Sequence, residues 1–441
     1  MIVAKFGGSL LSGADGLDRV RREILGLKPP LLVVVSAFGG VTNLLEQLAS
    51  AALVDTNRSR SLLERVAALH REVAAELLAP DERAAWEEAV APILGHLDEV
   101  VRGLGIVREL SGRTLDLVVS VGERLSSALV HASLQRDRPG VAHLSALDLI
   151  ITDNTHRYAR PDPDLTRERV EGRLRPLILE AGLVVTEGYI ARGTSGETTT
   201  MGRESSDYSA TMLAEILDAS EVHIYTGVPG IMTADPAVVP DALVIERMSF
   251  SAAHVLAELG AKILHPRTVT PAERGEIPLV ISSLDNRGTV IGGVGGPLPS
   301  IALMSDAERI SLDLETAGAR VESFVRGLSA IVPIVWSERF RRRLQIVTAG
   351  RVDLDDLPLS LLDDPPLSVE CRSVAVASVV RESVTGADDL AEALRALEGI
   401  PLLGLQSGID PRSVSFVVER MDAVDAVRAL HERLVGIRRG S

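Results

Sequence analysis

The side chains with the clearest chemical potential lie in residues 198–217, which read TTTMGRESSDYSATMLAEIL. A polar loop containing a glycine and Arg203 leads there into a segment with the composition of a helix. The first turn of a helix offers free backbone N–H groups and the positive end of the helix dipole. An arginine can grip a carboxylate or phosphate with two parallel hydrogen bonds. The segment therefore predicts a site for a small anion. Alternatively, Ser205 or Ser206 serves only as a helix N-cap, with Asp207 favouring the dipole.

A second segment of this kind follows the apolar run 2–6, where Lys5 precedes Gly7, Gly8 and Ser9. Glycines allow backbone N–H groups to approach an oxyanion closely, and the lysine adds a positive charge. The loop is not a Walker motif, which places a longer glycine loop before its lysine. The pattern fits either a phosphate cradle or a plain strand-to-helix turn.

Polar residues also follow the next two apolar runs. Ser36 and Thr42 come after the run 31–35, where their hydroxyls could hold a small polar substrate. Alternatively, Thr42 or the asparagine after it caps a helix. The run 117–121 is predicted to be a third buried strand, and Glu123 just beyond it could hold a substrate ammonium group. A helix-start glutamate that favours the dipole is the alternative for Glu123.

Two later loops complete the set. Thr226 and Gly230 lie in a turn-rich segment after another apolar run, and such a loop can wrap a nucleotide or form a rigid connection. Lys262, at a predicted helix end, could reach a phosphate or lie near the last helix carbonyls. The set of candidate residues contains no nucleophile–histidine pair, no metal-ligand cluster and no dinucleotide-binding glycine motif. The set of lysines, Arg203, glycines and two carboxylates therefore suits phosphoryl transfer, which relies on positioning and charge neutralisation.

The elements that must position these loops alternate between strands and helices. The Val, Ile and Leu runs are nearly continuous, which is typical of strands buried on both faces of a sheet. Further strands are predicted at 183–185, 221–225 and 277–281, and helices at 44–53, 61–78, 81–103, 126–135 and 251–259. This alternation predicts an α/β domain with a mainly parallel sheet, in which ligands bind at the carboxyl ends of strands.

The sequence pattern changes after residues 288–300. This stretch is rich in glycine and proline, which predicts a domain boundary. Beyond it lies a small β-α-β-β-α unit, with strands at 373–380, 402–407 and 413–419 and helices at 388–397 and 423–434. A ferredoxin-like unit has a fourth strand, which we expect from earlier in the chain, with 309–314 as the candidate. A weaker unit of the same kind is expected before it.

Composition narrows the class of protein. The 441 residues carry a formal net charge of −15, which makes nucleic acid an unfavourable partner. Cys371 is the lone cysteine, so an intrachain disulfide is excluded and a reducing compartment is indicated. The start of the chain does not read as a signal peptide, and no apolar run reaches the roughly 20 residues that span a bilayer. We therefore expect a cytoplasmic enzyme without a membrane partner.

Seven motifs in order resemble the aspartokinase family of the amino acid kinase superfamily. They are KFGGS, SAFGGVTNLL, VGERLS, TEGYI, TTTMGRESSDYSA, YTGVPGIMTADP and GAKILHPRT. The resemblance implies a kinase domain at 1–293 with a parallel-rich sheet between helices. It also implies two ferredoxin-like ACT domains, a degenerate one at 300–370 and a second at 371–441, whose strands interchange. The implied assembly is a homodimer or higher homo-oligomer, with an amino-acid effector at the ACT domains.

The resemblance also implies ATP- and Mg²⁺-dependent phosphorylation of the L-aspartate side chain to 4-phospho-L-aspartate, the first step toward lysine, threonine and methionine. In that reaction Lys5 would neutralise the transferring phosphate and Asp207 would orient the catalytic lysines. Implied aspartate contacts are Ser36, Thr42, Glu123 for the α-ammonium, Arg203 for the α-carboxylate, and Ser206. Implied nucleotide contacts are Lys5, Gly7, Gly8, Ser9, Thr226, Gly230 and Lys262.

This chain departs from the family pattern at several positions. Glu204 and Ser205 stand where the family has two glycines, and Met232 and Ala237 stand where its nucleotide loop has an aromatic residue and an arginine. The loop KFGGSLL is also closer to those of other kinases in the superfamily. Two alternatives follow, namely a related carboxylate kinase with another substrate and a catalytically weak homologue that senses amino acids.

Overall fold

A computed structural model describes residues 1–260, 264, 266–286, 288–316, 321–362, 364–383, 386–407 and 410–436. The chain forms two compact units. The first comprises Met1–Gly230 and His265–Gly292, and the second Ile231–Leu264 and Gly293–Ser441. The segment 231–264 thus groups with the carboxyl-terminal part of the chain, although it lies within the predicted kinase domain.

Each predicted helix is present. In chain order the helices are α1 Gly13–Gly26, α2 Val41–Ala52, α3 Thr56–Leu77, α4 Pro80–Val107, α5 Gly112–Leu134, α6 Pro163–Arg169, α7 Arg175–Ala181, α8 Ser206–Leu217, α9 Phe250–Glu258, α10 Pro266–Arg274, α11 Glu322–Ser329, α12 Ala387–Ala396 and α13 Ala423–Gly436. The ends of the predicted helices differ by a few residues except in α5, which begins at Gly112 rather than at residue 126. Helices α1, α6, α7, α10 and α11 were not predicted. A π-helical turn, Val170–Leu174, joins α6 to α7.

The strands are also given in chain order. They are β1 Ile2–Phe6, β2 Leu31–Val35, β3 Ala142–His143, β4 Ile151–Thr152, β5 Leu183–Glu187, β6 Ile190–Gly193, β7 Thr198–Thr200, β8 Glu221–Tyr225, β9 Arg247–Met248, β10 Leu279–Ser282, β11 Thr289–Ile291, β12 Ser300–Asp313, β13 Ile334–Phe340, β14 Arg343–Thr348, β15 Ser368–Val380, β16 Leu402–Ser407 and β17 Ser413–Glu419.

The main sheet of the first unit is largely parallel, as predicted. Its strands run in the order β3-β5-β2-β1-β8-β10-β11, and β11 is antiparallel to β10. The register of β1 pairs Lys5 with Val34 on one side and with Ile224 on the other. The side chains of β2 are fully buried, as expected for a strand covered on both faces. The carboxyl ends of β1, β2, β5 and β8 therefore meet at one edge of the sheet.

The predicted strand 117–121 is wrong, because this run lies inside the helix α5. The helix is buried on nearly all sides, with Val118 to Glu123 each almost inaccessible. A helix buried all round loses the amphipathic pattern, so a short apolar run cannot be told from a buried strand. Glu123 accordingly lies in the middle of a helix rather than at a strand end.

The second unit is built on one antiparallel sheet in the order β13-β14-β12-β15-β17-β16. Two long strands, β12 and β15, pair along their whole length with a register shift between Met304 and Ala307. Each long strand serves two ferredoxin-like halves, which matches the strand exchange of ACT domains. The expected fourth strand does come from earlier in the chain. It is the first part of β12, which pairs with residues 376–380, whereas the candidate 309–314 lies in the other half.

The two halves of this sheet are covered differently. Helices α12 and α13 cover the half that contains β17, and Leu430 and Phe416 are fully buried there. In the other half α11 packs with a loop containing two 3-10 turns, Leu354–Asp356 and Leu359–Leu361. Leu357 and Phe324 lie in that core. This half therefore has a loop where the other half has its second helix.

Candidate functional site

Lys5 and Asp207 form an ion pair at the carboxyl edge of the main sheet. Their Nζ and Oδ1 atoms are 2.6 Å apart, and both side chains are about nine-tenths buried. Lys5 lies at the end of β1, and Asp207 lies in the first turn of α8. Two residues separated by about 200 positions therefore meet where a parallel sheet binds its ligands.

The glycine loop after β1 packs directly against the loop after β2. A Cβ atom at Gly8 would lie 2.2 Å from the carbonyl oxygen of Ala37, so no side chain fits there. The Gly39 N–H donates to the Gly8 carbonyl at 2.8 Å. A Cβ atom at Gly227 would lie 3.3 Å from Ser9 Oγ, which brings the loop after β8 to the same place. The Gly7 N–H donates to the Tyr225 carbonyl at 3.0 Å, whereas the Gly8 and Ser9 N–H groups make no backbone hydrogen bond with the described residues. These two N–H groups are able to approach an oxyanion.

Glu123 is a buried carboxyl group that forms no ion pair with the described residues. Its Oε1 accepts the Ala37 N–H at 3.3 Å, and its Oε2 accepts no hydrogen bond from the described residues. Burial raises the pKa of Glu123 to about 8, although backbone hydrogen bonds act in the opposite direction. Such a group can take up a cation, since a positive charge would offset the desolvation that keeps the carboxyl neutral.

A second buried carboxylate, Glu187, lies near Glu123 and is fully partnered. It accepts hydrogen bonds from the Ser127 hydroxyl at 2.8 Å and the Ala146 N–H at 2.6 Å, and His143 lies 3.3 Å away. Burial acts to raise the pKa of Glu187, but His143 and the two donors outweigh it and hold the pKa below its usual value. The negative charge of Glu187 raises the pKa of Glu123 further.

Arg203 lies in the loop before α8, as predicted, and its side chain is more than half exposed. Its guanidinium donates to Asn43 and lies 3.5 Å from Glu46, both on α2. Arg157, from the loop after β4, lies 3.4 Å from the other oxygen of the same carboxylate. Two arginines from different loops thus share Glu46, which the sequence analysis had not singled out.

The three hydroxyl residues of the predicted site have different surroundings. Ser36 follows β2, and its carbonyl accepts the Ser126 hydroxyl at 2.7 Å. Thr42 lies within α2, whose N-cap is Gly40, so neither Thr42 nor the asparagine after it is the cap. Ser206 begins α8 and packs against Gly188, where a Cβ atom would lie 2.6 Å from the serine Cβ.

The loop before α8 differs from a simple cap. Ser205 is the N-cap residue, but its side chain makes no capping hydrogen bond. Glu204 has a φ of 65°, in the left-handed region that favours glycine, and its side chain is exposed. The backbone therefore keeps the conformation of a glycine loop at this position, and the carboxylate points to solvent.

The predicted nucleotide residues are partly described. Thr226 follows β8, and its N–H donates to Ser282 at 2.9 Å; Gly230 has a φ of 153°. Lys262 lies outside the described residues. Met232 and Ala237, which depart from the family pattern, belong to the second unit.

Sequence reasoning missed Asp116, Arg157, Glu46 and Glu187. Asp116 is fully buried on α5 and accepts hydrogen bonds from Thr200 and from the segment around Arg157. A usable signal was present for Asp116, since it lies seven residues, or about two helical turns, before Glu123 in an otherwise apolar run. The predicted strand at 117–121 obscured that spacing.

Two absences hold for the described part of the chain. It contains no cluster of His, Cys, Asp or Glu that could hold a metal ion by itself. None of its helices has the length and apolar character needed to cross a membrane.

Comparison with known proteins defines the class and then the family. The sequence profile of the amino acid kinase family matches residues 1–283, well over half of the chain. The chain is 31% identical to the aspartokinase of Chlamydia pneumoniae, with 98% of each protein covered. It is also 31% identical to lysine-sensitive aspartokinase 3 of Escherichia coli strain K12, with 98% of the chain and 99% of the relative covered. The chain therefore belongs to the aspartokinase family.

A solved structure supports the same assignment. E. coli aspartokinase III in complex with aspartate and ADP (R-state) matches with a TM-score of 0.85 and 27% identity, covering 99% of this chain and all of that one. The T-state of that protein with lysine and aspartate matches with a TM-score of 0.77, covering 98% of this chain and 99% of that one. The fold is thus that of a kinase domain followed by ACT domains.

Proposed function

We propose that this protein transfers the γ-phosphoryl group of ATP to the side-chain carboxylate of L-aspartate, forming 4-phospho-L-aspartate. The single observation that carries the proposal is the buried Lys5–Asp207 pair beside the glycine loop at the carboxyl edge of the sheet. A fixed positive charge at such an edge can neutralise a transferring phosphoryl group, which is the main requirement of this reaction.

Each group of the site has a role in this proposal. Lys5 balances the charge that spreads over the phosphoryl oxygens, while Asp207 fixes the lysine in place. The loop of Gly7, Gly8 and Ser9 cradles the phosphates, and the N–H groups of Gly8 and Ser9 are its donors. Further nucleotide contacts are assigned to Thr226, Gly230 and Lys262.

The remaining residues would orient the acceptor. Glu123 would receive the α-ammonium group of aspartate, since its buried carboxyl has an unused oxygen. Arg203 would exchange its contact with Glu46 for the α-carboxylate, and Ser36, Thr42 and Ser206 would surround the substrate. The side-chain carboxylate would then face the phosphoryl group as the nucleophile, so no protein nucleophile or general base is needed.

Mg²⁺ fits this site as a partner of the nucleotide rather than of the protein. The described residues offer a lone carboxylate, Asp207, at the phosphate side and no ligand cluster. Magnesium usually keeps several waters and binds through substrate phosphates plus one or two carboxylates. When bound, it would supply charge neutralisation at the phosphate oxygens.

The activity is tested with purified protein, ATP, Mg²⁺ and L-aspartate in the presence of hydroxylamine, which traps an acyl phosphate as a coloured hydroxamate. We expect aspartate-dependent hydroxamate with matching ADP release. Matched reactions with L-glutamate, N-acetyl-L-aspartate and D-aspartate test the substrate and its ammonium group. No product with aspartate at millimolar concentration would reject the proposal, and a better substrate in this panel would change the acceptor.

We further propose that the second unit binds an amino-acid effector and that the protein is a homodimer or a larger homo-oligomer. The matching T-state structure of the E. coli relative contains lysine, which supports an amino acid as the effector. A place at the head of lysine and threonine biosynthesis and a cytoplasmic location follow from the proposed activity. Inhibition assays with the pathway amino acids and light scattering test the first two points.

A further inference from the structure

Asp116 is a buried carboxylate whose hydrogen bonds join three parts of the first unit. It lies on α5 with no exposed surface. Its Oδ1 accepts the Thr200 hydroxyl at 2.6 Å. Its Oδ2 accepts the Arg157 N–H at 2.9 Å and lies 3.0 Å from His156 Nδ1. Three donors from two separate segments thus saturate one carboxylate, which is how a buried acidic group is normally accommodated.

Both segments held by Asp116 carry an arginine of the substrate side. Thr200 ends β7, three residues before Arg203. Arg157 has a φ of 75°, a conformation that a non-glycine residue keeps only where its surroundings enforce it. The hydrogen bond from its N–H to Asp116 supplies such a constraint. The guanidinium groups of both arginines then reach the same carboxylate, Glu46.

The helix α5 connects this arrangement to the other end of the substrate. Asp116 and Glu123 are seven residues apart, which places them on the same face about 10 Å apart along the axis. Glu123 is the group assigned to the substrate ammonium, and Arg203 the group assigned to its carboxylate. The single helix α5 can therefore set the distance between Glu123 and Arg203.

We propose that Asp116 is a positioning residue for substrate recognition, which holds the Arg157 and Arg203 loops in register with Glu123. Arg157 becomes a second cation at the mouth of the site through this tether. The inference rests on the proposed aspartate kinase activity, but its structural part, the tethering of two loops to α5, is independent of that activity. Asp116 does not touch the reacting groups in this proposal and acts through the two loops.

Two variants test the tether. Asp116→Asn keeps the shape of the side chain but replaces one acceptor oxygen with an NH2 group. That group is a donor, so it cannot accept the hydrogen bond from the Arg157 N–H. Thr200→Val removes a single donor and is the milder change. We expect the KM for L-aspartate to rise at least tenfold in Asp116→Asn and several-fold in Thr200→Val. The KM for ATP should stay within about twofold, since the glycine loop does not contact Asp116. If Asp116 only stabilised the fold, its replacement would lower the fraction of active enzyme, and hence kcat, without raising the KM for L-aspartate more than the KM for ATP.

Two control variants test other causes of a higher KM for aspartate. Thr200 also lies within hydrogen-bond reach of the Tyr189 hydroxyl, so Tyr189→Phe removes that contact and leaves Asp116 paired. Asp98→Asn changes an exposed aspartate on α4. Both should leave the KM for aspartate near the wild-type value. An aspartate KM in Tyr189→Phe as high as in Thr200→Val would overturn the assignment to Asp116.

Hydrogen exchange measures the tether without activity. We expect faster exchange at 153–160 and 198–204 in Asp116→Asn, with the amides of β1 and β2 unchanged. Unchanged exchange in both loops, or equal increases in both KM values, would reject the proposal. If Asp116→Asn does not fold, Thr200→Val decides by the same criteria. A wild-type protein that lacks activity rejects the proposed function alone, and the exchange result then stands by itself.

Discussion

At the scale of single residues, burial gives Glu123 the properties of a carboxyl group that can accept a cation. Within the described part of the chain, one oxygen of this carboxyl accepts a hydrogen bond and the other accepts none, and burial raises its pKa to about 8. A neutral acid of this kind ionises most easily when a positive charge arrives. The ammonium group of an amino acid would supply that charge and the missing hydrogen bond together.

The raised pKa predicts a pH dependence for substrate capture. Because the ionised form of Glu123 is needed to bind an ammonium group, kcat/KM for aspartate should climb as the pH rises through about 8. Glu123→Gln should lower kcat/KM strongly and flatten the profile, which steady-state assays at a series of pH values would measure. Glu64→Gln, an exposed change on α3, is the control. An identical climb in Glu123→Gln would assign it to another group.

The same group predicts a change of stability with pH. The folded pKa lies above the unfolded one, so the folded state binds the extra proton between those two values. Its contribution to stability is therefore complete below the ordinary pKa of glutamate and is lost as the pH rises through about 8. Denaturant titrations should show a smaller loss of stability with rising pH in Glu123→Gln than in the wild type.

Arg203 predicts a selective loss of aspartate affinity. Replacing it by alanine removes the fork proposed for the α-carboxylate, and a lost charged hydrogen bond costs about 1.5–3 kcal/mol. The KM for aspartate should rise roughly 10- to 100-fold, while the KM for ATP stays near the wild-type value. Arg102→Ala, an exposed change on α4, is the control. A change confined to ATP would place Arg203 on the nucleotide side.

At the scale of elements, α5 is the frame of the proposed acceptor side. It is buried on nearly every face, and it carries both Glu123 and Asp116. Gly122 lets it approach the loop after β2 and α2. A Cβ atom at Gly122 would lie 2.9 Å from Ala37 Cβ and 3.1 Å from Val41 Cγ1.

This contact predicts opposite effects of one substitution at two helical glycines. Gly103→Ala, near the carboxyl-terminal end of α4, where an added Cβ atom would meet nothing within 4 Å, should stabilise the protein by about 0.5–1 kcal/mol, because alanine favours the helix. Gly122→Ala should have a net destabilising effect, since overpacking costs about 1–3 kcal/mol. Urea unfolding at constant pH measures both. A stabilised Gly122→Ala protein would show that α5 and α2 are not closely packed.

At the scale of the whole molecule, the second unit combines the segment that follows Gly230 with helix α13. The Thr233 hydroxyl and His431 Nε2 lie 2.9 Å apart in a buried contact. Ala234 and Val239 share a core with Leu430 and Leu434 of α13. The chain leading out of Gly230 is thus part of the core that α13 completes.

This packing predicts that a change in α13 affects nucleotide binding. His431→Ala breaks the contact with Thr233 and should raise the KM for ATP several-fold, with the KM for aspartate unchanged. His96→Ala, an exposed change on α4, is the control. Steady-state assays with each substrate varied in turn distinguish the two effects. Equal KM values for ATP in His431→Ala and the wild type would contradict the link.

The amino-acid sequence by itself determined most elements of both units. Apolar runs located β1, β2 and β8, because strands buried on both faces carry a continuous signal. Motif order indicated the family, and the glycine and arginine loops indicated an anion site. These signals are local in the chain, so they can be recognised without knowledge of the tertiary contacts.

Only the tertiary structure decided what depends on partners far apart in sequence. It placed 117–121 in a helix, because burial on all sides removes the periodicity that separates helix from strand. It paired Lys5 with Asp207, gave two arginines one carboxylate in Glu46, and assigned the fourth ACT strand to the start of β12. Such contacts depend on three-dimensional packing, which no spacing along the chain encodes.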